Sequence, residues 1–120
     1  MGNGLNVGVV GSRGFDDRDL MFEILDVLGP FTLVTGGAIG ADSLSEEYAD
    51  LHRYQKIIHL PDWNKLGKSA GFIRNRKIVE DSDIVLAFWD GYSLGTKSTM
   101  DICRKLDVPF EIIDYPSLKV

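Results

Sequence analysis

The sequence predicts an α/β fold in which a mostly parallel, five-stranded sheet is flanked by helices. Short apolar runs rich in β-branched residues alternate with longer segments whose apolar residues recur at helical spacing. Three of the apolar runs lead directly into a glycine-bearing loop, as strand-to-helix turns often do. At 120 residues and 44% hydrophobic composition, the chain is predicted to form one domain, 1–120, with a core of its own.

The first strand–helix unit is predicted at the start of the chain. The run NVGVV over 6–10 is a strand, buried on both faces if it lies centrally in the sheet. Asp16 or Asp17 can cap the following helix, which is expected to continue to about Leu28 with one apolar face. The Gly-Pro pair at 29–30 ends that helix, because proline cannot continue it.

The rest of the chain repeats this alternation. Further strands are expected over 31–35, 56–60, 84–88 and 108–113, and further helices over 43–52, 72–81 and 96–106. Asp42 is expected at the N-cap of the helix over 43–52. The polar stretch 61–71 is long for a loop in a compact domain, so it is a candidate functional loop.

The three glycine-bearing loops lead to the functional prediction. They are GSRG at 11–14, GGAIGAD at 36–42 and GYSLGT at 91–96. Because each leaves the carboxyl end of a predicted parallel strand, the loops are expected to meet at one edge of the sheet. Glycine lets backbone N–H groups approach a ligand closely, and the start of the next helix adds unpaired N–H groups and the positive end of a dipole. The loops therefore predict a nucleotide-like ligand.

Two arginines and one carboxylate are the charged binding candidates. Arg13 suits a bidentate phosphate contact, although it can also be an ordinary surface arginine. Asp42 can accept a ribose hydroxyl, cap its helix, or do both. Arg74 is expected, with Asn75, in the first turn of its helix, where a cation opposes the helix dipole and so indicates an anionic ligand. A salt bridge from Arg74 to Asp42 or Asp90 is the alternative.

The third loop and the aromatic residues add further candidates. Thr96 is expected to cap the last helix, which leaves the N–H groups of Lys97 and Ser98 to face an anion. Trp89 and Tyr92 either stack on a base or pack in an interface; Trp63 and Phe72 either pack or form a lid over the ligand. The complete predicted ligand-binding set is Gly11, Ser12, Arg13, Gly36, Gly37, Ala38, Gly40, Asp42, Arg74, Asn75, Asp90, Ser93, Gly95, Thr96, Lys97 and Ser98.

Composition and incomplete motifs argue against several kinds of partner, location and binding site. The net charge of −5, with no sustained basic run, argues against nucleic acid as a partner. No apolar run approaches the ~20 residues of a membrane span, no signal peptide is visible, and Cys103 has no second cysteine, so a cytoplasmic protein without membrane contact is expected. His52 and His59 lack metal-ligand spacing, so no metal site is predicted. The first loop reads GxxGxxG rather than GxGxxG, which disfavours NAD.

An ordered series of motifs resembles a known superfamily. GSRGF at 11–15, GGAIGAD at 36–42, GKSAGFIRN at 67–75 and SDIVLAFWDGYSLGT at 82–96 resemble the SLOG superfamily, which holds the Rossmann-like domains of the DprA and LOG proteins. Within it, the chain is most similar to the DUF2493, or YspA-like, branch. The resemblance implies a Rossmann-like domain that binds nucleotides or their derivatives, some of these proteins being proposed sensors. It also implies a homodimer or higher homo-oligomer. No cofactor is predicted beyond that nucleotide-derived ligand.

The resemblance leaves the question of catalysis open. LOG enzymes hydrolyse the N-glycosidic bond of nucleoside 5′-monophosphates with an arginine before the fourth strand and a glutamate in PGGxGTxxE. Arg74 matches that arginine, but the glutamate position holds Thr99, and GYS at 91–93 replaces PGG. A noncatalytic nucleotide-binding domain is therefore the preferred hypothesis. The alternatives are a LOG-like hydrolase, with Arg74 and Asp42 as catalytic candidates, and a DprA-like interaction module.

Overall fold

The structure is a computed structural model that describes residues 4–115 as a five-stranded sheet between two layers of helices. The elements follow in the order β1 (Asn6–Gly11), α1 (Arg18–Leu28), β2 (Thr32–Thr35), α2 (Ala41–His52), β3 (Lys56–Ile58), α3 (Trp63–Leu66), a 3₁₀ turn (Gly67–Ser69), α4 (Ala70–Asp81), β4 (Ile84–Trp89), α5 (Leu94–Leu106) and β5 (Phe110–Asp114).

The strand order reverses beside β1. The sheet runs β3-β2-β1-β4-β5 and every pairing is parallel. The chain first moves outward from β1 to β3, then crosses back and places β4 on the other side of β1, with Val7 opposite Ile84 and Gly11 opposite Phe88. The predicted α/β class is confirmed, and the sheet is parallel throughout its described strands. The connections after β1 and β4 therefore leave towards opposite faces of the sheet, which opens a crevice at the carboxyl ends of these two strands.

Each face of the sheet has its own apolar layer. Alternate side chains of a strand point to opposite faces, so Val7 and Val9 pack in one layer and Val10 in the other. The first layer contains Met21 of α1 and Tyr48 of α2, while the second is formed with residues of α4 and α5. The helices thus lie as α1 and α2 on one face and α4 and α5 on the other.

Most of the segment 61–71, from Trp63 onward, is helical rather than an open loop. The prediction of a loop is wrong because Asp62 caps α3: its carboxylate accepts a hydrogen bond from the N–H of Lys65 at 3.1 Å. The 3₁₀ turn follows, and the hydroxyl of Ser69 donates to the carbonyl of Leu66 at 2.8 Å. As a result α4 begins at Ala70, two positions before the predicted start at Phe72.

Candidate functional site

A polar crevice of about 470 Å³ lies at the carboxyl ends of β1 and β4. This is where ligands bind in open α/β sheets, at the point where the strand order reverses. Its walls come from the loops after β1, β2 and β4 and from one side of α4 and α5. The residues that line it are Val10, Gly11, Ser12, Arg13, Gly14, Ala38, Asp42, Arg74, Asn75, Ile78, Asp90, Ser93, Gly95, Thr96 and Thr99.

The loop after β1 is fixed by backbone contacts with its neighbours. Ser12 is buried; its N–H donates to the carbonyl of Phe88 at 3.0 Å and its hydroxyl oxygen accepts from the N–H of Asp90 at 3.2 Å. Gly40 approaches this loop so closely that a Cβ there would stand 2.5 Å from the carbonyl oxygens of Ser12 and Arg13. The loop after β1 is therefore held from both sides, which leaves the Arg13 side chain at the crevice.

Asp42 does not cap α2, so that prediction is wrong. The N-cap is Gly40, and Asp42 is the second residue of the helix. Its Oδ2 instead accepts hydrogen bonds from the N–H groups of Gly36 and Ala38, both at 3.2 Å. The carboxylate turns back because the loop after β2 folds over the helix start and presents its own N–H groups there. Asp42 thus stabilises the glycine loop and forms part of the crevice wall.

The environment of Asp42 makes it an unusual acid. The residue is only 6% exposed, and this burial raises the pKa of its carboxyl group to about 6. The N–H of Ala38, the positive charge of Arg74 and the N–H of Gly36 act in the opposite direction. Burial is the larger effect, so Asp42 changes its charge close to neutral pH.

Arg74 connects three of the segments around the crevice. Its Nη1 donates to the carbonyl of Gly36 and its Nε to Oδ1 of Asn75, both at 2.9 Å. The amide of Asn75 reaches the carbonyl of Gly95, at a long 3.5 Å. Because α4 begins at Ala70, Arg74 and Asn75 are in its second turn, so the predicted placement in the first turn is wrong and its argument from the helix dipole does not apply. Arg74 is half-buried and coupled to the charge of Asp42, although no direct salt bridge forms between them in the described region.

Arg13 supplies a second cation at the same crevice. It is exposed, and within residues 4–115 its guanidinium forms neither a salt bridge nor a hydrogen bond. The positive charge of Arg13, together with burial, lowers the pKa of Arg74, and burial is the larger cause. Both guanidinium groups stay charged at neutral pH. Two like charges facing one crevice favour an anion between them.

The loop after β4 is organised by Asp90. Its Oδ1 accepts from the N–H groups of Tyr92 at 2.8 Å and of Ser93 at 2.9 Å, and these bonds, the first above all, lower the pKa of Asp90. Ser93, rather than Thr96, is the N-cap of α5, so the predicted cap at Thr96 is wrong. The hydroxyl oxygen of Ser93 accepts from the N–H of Thr96, and its carbonyl accepts from the N–H of Lys97. The N–H of Lys97 is therefore already used within the helix.

The predicted site residues divide into three groups. Most of them line the crevice, namely Gly11, Ser12, Arg13, Ala38, Asp42, Arg74, Asn75, Asp90, Ser93, Gly95 and Thr96. Gly36, Gly37 and Gly40 lie behind it and shape the loop after β2: Gly36 bonds to Asp42 and Arg74, and the other two have positive φ. Lys97 and Ser98 lie on the other side of the first turn of α5, along a separate groove.

Sequence reasoning missed four residues of the crevice wall. Val10 and Ile78 form apolar parts of its surface, and nothing in their local sequence distinguishes them from core residues. Gly14 belongs to a loop that the sequence did single out. Thr99 follows Thr96 by three residues and so shares its helix face, a spacing that could have revealed it. Its hydroxyl donates to the carbonyl of Gly95 at 3.1 Å.

The aromatic candidates do not line the crevice. The indole N–H of Trp89 donates to the carbonyl of Ser93 at 3.0 Å, and Trp89 packs against the second core layer. Tyr92 is 82% exposed on the same loop. Trp63 and Phe72 are both more than half exposed, beside the helical segment 61–71. Trp89 is thus a packing residue, whereas the roles of the other aromatic residues stay predictions.

Comparison with known proteins finds a relative in sequence. No family model matches the chain. The Gene 61 protein of Mycobacterium phage D29 is 36% identical over 112 residues, which cover 84% of this chain and 90% of that protein. The chain belongs to the family of this phage protein. The assignment to the DUF2493 branch stays a prediction.

Solved structures with the same fold are DNA processing proteins. DNA processing protein A from Helicobacter pylori superposes with a TM-score of 0.74 at 21% identity, over 96% of this chain and 67% of that one. DprA from Streptococcus pneumoniae gives a TM-score of 0.73 at 19% identity, over 98% of this chain and 52% of that one. The chain therefore spans about half the length of the streptococcal protein. These likenesses confirm the Rossmann-like fold implied by the resemblance to the SLOG superfamily.

The prediction that excluded nucleic acid is overturned by this comparison. The structure from Helicobacter pylori is described by its single-stranded DNA binding mode, so this fold is compatible with a nucleic-acid partner. The physical reason is that a net charge averages over the surface. In this chain the charges are unevenly distributed: the outer surface of α1 and α2 is mainly acidic. In α4 and α5, three carboxylates, Glu80, Asp81 and Asp101, face six cations, which are Arg74, Arg76, Lys77, Lys97, Arg104 and Lys105.

The described helices offer nothing that could span a membrane. Within residues 4–115, no helix has both the length and the hydropathy that a crossing requires.

Proposed function

We propose that the crevice binds the phosphate and ribose of a nucleotide without hydrolysing it. The observation that carries this proposal is the pairing of two guanidinium groups, one of them unpartnered within residues 4–115, at the point where the strand order reverses. A phosphate placed there receives charge-assisted hydrogen bonds from Arg13 and Arg74. Ser93, Gly95 and Thr96 at the start of α5 line the same crevice, so the dipole of that helix favours the phosphate as well.

In this proposal, Asp42 is the hydrogen-bond acceptor for a hydroxyl group of the ribose. Both bonds from the glycine loop go to Oδ2, and the Thr35 hydroxyl also acts on this carboxylate. Because Asp42 lines the crevice, we expect its carboxylate to accept a hydroxyl group of a ligand there as well. A carboxylate that accepts a ribose hydroxyl is a common device for nucleotide recognition in α/β folds. We therefore expect a ribonucleotide to bind more tightly than the matching 2′-deoxyribonucleotide.

The residue in the LOG glutamate position argues against hydrolysis. The lining residues include two acids, Asp42 and Asp90, and each already accepts two backbone N–H bonds. Thr99 occupies the position of the LOG glutamate, and its hydroxyl is bonded to the helix backbone. A threonine supplies neither a carboxylate base nor a negative charge for an oxocarbenium-like transition state.

The test is calorimetric titration of adenosine 5′-monophosphate into the parent protein and three variants. Arg13→Ala removes the guanidinium that has no partner inside residues 4–115, and Arg74→Ala removes the other guanidinium of the crevice. Arg76→Ala is the matched control, because Arg76 is on the same helix as Arg74 but pairs with Glu80. We expect each of the first two changes to weaken binding by roughly 1.5–3 kcal/mol, and the control to leave it unchanged. Equal affinity in parent, Arg13→Ala and Arg74→Ala would remove the phosphate from this crevice.

Hydrolysis and the ribose contact are checked with the same reagents. Release of free adenine, followed by chromatography, would overturn the noncatalytic part of the proposal. Adenosine 5′-monophosphate is compared with its 2′-deoxy analogue in the parent and in Asp42→Asn. The preference for the ribonucleotide is expected in the parent and should shrink in the variant.

A second candidate function is binding of a nucleotide unit within single-stranded DNA. The specific observation in its favour is the fold shared with the Helicobacter pylori protein. An oligodeoxythymidine with a fluorescent label tests it by anisotropy, in low and high salt. This candidate is favoured if three results are found together: the binding of the oligonucleotide weakens in high salt, it is reduced by Arg13→Ala, and it is competed by free nucleotide. Such results would put the single-stranded DNA in the crevice. Binding of the nucleotide alone would favour the first.

A further inference from the structure

A second groove lies outside the crevice, on the surface of α4 and α5. It has a volume of about 350 Å³ and is lined by Phe72, Arg76, Leu94, Lys97, Ile102 and Lys105, among others. Phe72 is 51% exposed and Leu94 is 80% exposed, so its centre is apolar and open to solvent. The first turn of α5 separates it from the crevice, because Gly95 and Thr96 face the crevice while Leu94 and Lys97 face the groove.

The rim of this groove, which we call the basic face, is positively charged. Arg76 pairs with Glu80, while Lys97 and Arg104 share the single carboxylate of Asp101. Lys105 has no salt-bridge partner anywhere in residues 4–115. The cations on this rim therefore outnumber the carboxylates that neutralise them. The partner suited to the groove is acidic around an apolar centre.

The opposite side of the same molecule has those properties. Helix α2 displays a shallow depression formed by Ser43, Glu46, Glu47, Asp50 and Leu51, which we call the acidic face. Leu51 is 62% exposed. Neighbouring α1 adds exposed carboxylates, and only part of this negative charge is neutralised, by Arg18 on Glu47 and by Lys56 on Glu46 and Asp50.

We propose that the chain associates with copies of itself head to tail, with the acidic face of one copy seated on the basic face of the next. Leu51 would contact Phe72 and Leu94, while the carboxylates of α2 oppose the cations of α4 and α5. The two faces lie on opposite sides of the sheet, so a pair of copies still has one free acidic face and one free basic face, and the assembly is open rather than a closed two-fold dimer. Two basic faces would repel each other, which argues against a two-fold pairing through this groove.

The proposal is independent of nucleotide binding, and mixing two neutralised variants tests it. Lys97→Gln/Lys105→Gln removes charge from the basic face, and Glu47→Gln/Asp50→Asn removes it from the acidic face; all four residues are exposed. Lys65→Gln/Lys68→Gln is the control, since it removes the same charge from exposed residues that do not line the groove. Sedimentation velocity is measured over a concentration series, after thermal unfolding has shown that each variant is folded.

The expected results differ sharply between the samples. In about 0.1 M NaCl, the sedimentation coefficient of the parent and of the control should rise with concentration beyond the value of a dimer. The rise should be much smaller in 1 M NaCl, because the Debye length falls from about 10 to about 3 Å. Each neutralised variant should associate about tenfold more weakly than the parent. Their mixture should stop at a one-to-one heterodimer, since just one intact acidic and one intact basic face remain.

Three results would overturn the proposal. A parent that stays monomeric throughout the series has no such interface. A parent that stops at a dimer has a closed, two-fold contact instead. Association that neither double variant weakens uses another surface.

Discussion

At the residue scale, the crevice depends on a few positions whose roles differ from their local appearance. Asp42 resembles a helix cap in the sequence but bonds back to Gly36 and Ala38. Gly40 serves as the N-cap, with a φ of 83° that non-glycine residues rarely adopt. These two residues together determine how the loop after β2 closes against the loop after β1.

Protonation of Asp42 should make stability depend on pH. The pKa of this carboxyl group is about 6 in the folded protein and 3.8 as its ordinary value, so the folded state binds a proton first as the pH falls. The free energy of unfolding should therefore rise by about 1 kcal/mol relative to Asp42→Asn between pH 7 and pH 5. Urea unfolding of both proteins at the two pH values measures this difference. A difference that stays constant, or that changes with the opposite sign, would show that burial does not control the carboxyl group.

Substituting Gly40 should be costly, whereas substituting Gly95 should not. A Cβ at Gly40 would meet two carbonyl oxygens at 2.5 Å and strain a left-handed backbone, so Gly40→Ala should lose about 2–4 kcal/mol. Gly95 is in α5, and a Cβ added there would meet no neighbouring atom within 4 Å, so Gly95→Ala should gain about 0.5–1 kcal/mol. Thermal unfolding of both variants measures the expected loss of stability in Gly40→Ala and the expected gain in Gly95→Ala. Equal stability of the two variants would contradict this account of the loop.

At the element scale, helix starts determine which groups reach the crevice. The N-cap of α5 is Ser93, so Gly95 and Thr96 are in its first turn at the crevice wall. The start of α4 at Ala70 moves Arg74 into the second turn, from which its side chain reaches the carbonyl of Gly36. Small shifts of one or two residues at these boundaries thus change the function assigned to a side chain.

The two aspartates before α1 provide a test at this scale. The sequence left Asp16 and Asp17 as alternative caps, and the structure selects Asp17, whose Oδ1 accepts from the N–H of Leu20 at 3.0 Å. Asp17→Ala should lower the free energy of unfolding by about 1 kcal/mol, and Asp16→Ala should change it by only a few tenths. Denaturant titration of both variants measures the contrast. A larger loss for Asp16→Ala would identify it as the cap.

At the scale of the whole molecule, the sheet separates charge as well as apolar layers. In α1 and α2, on one face, the carboxylates outnumber the cations, and in α4 and α5, on the other face, the cations outnumber the carboxylates. A net charge of −5 hides this division. This division explains why net charge alone is a poor argument against a nucleic-acid partner. It is also the basis of the proposed head-to-tail association, which the mixed variants test.

The sequence alone determined the fold class and most of the crevice. Apolar periodicity fixed the alternation of strands and helices, and parallel strands bring their carboxyl ends to one edge, so Arg13 and Asp42 could be predicted to meet there. Arg74 was assigned to the same edge from a helix start that the structure moves by two residues. Only the tertiary structure decided the caps, the helix at Trp63–Leu66, the apolar wall at Val10 and the position of Lys97 outside the crevice. The apolar wall and the position of Lys97 depend on packing between segments far apart in the chain, about which local propensity carries no information. The caps are local hydrogen bonds, but the sequence offers neighbouring polar side chains that could make them equally well.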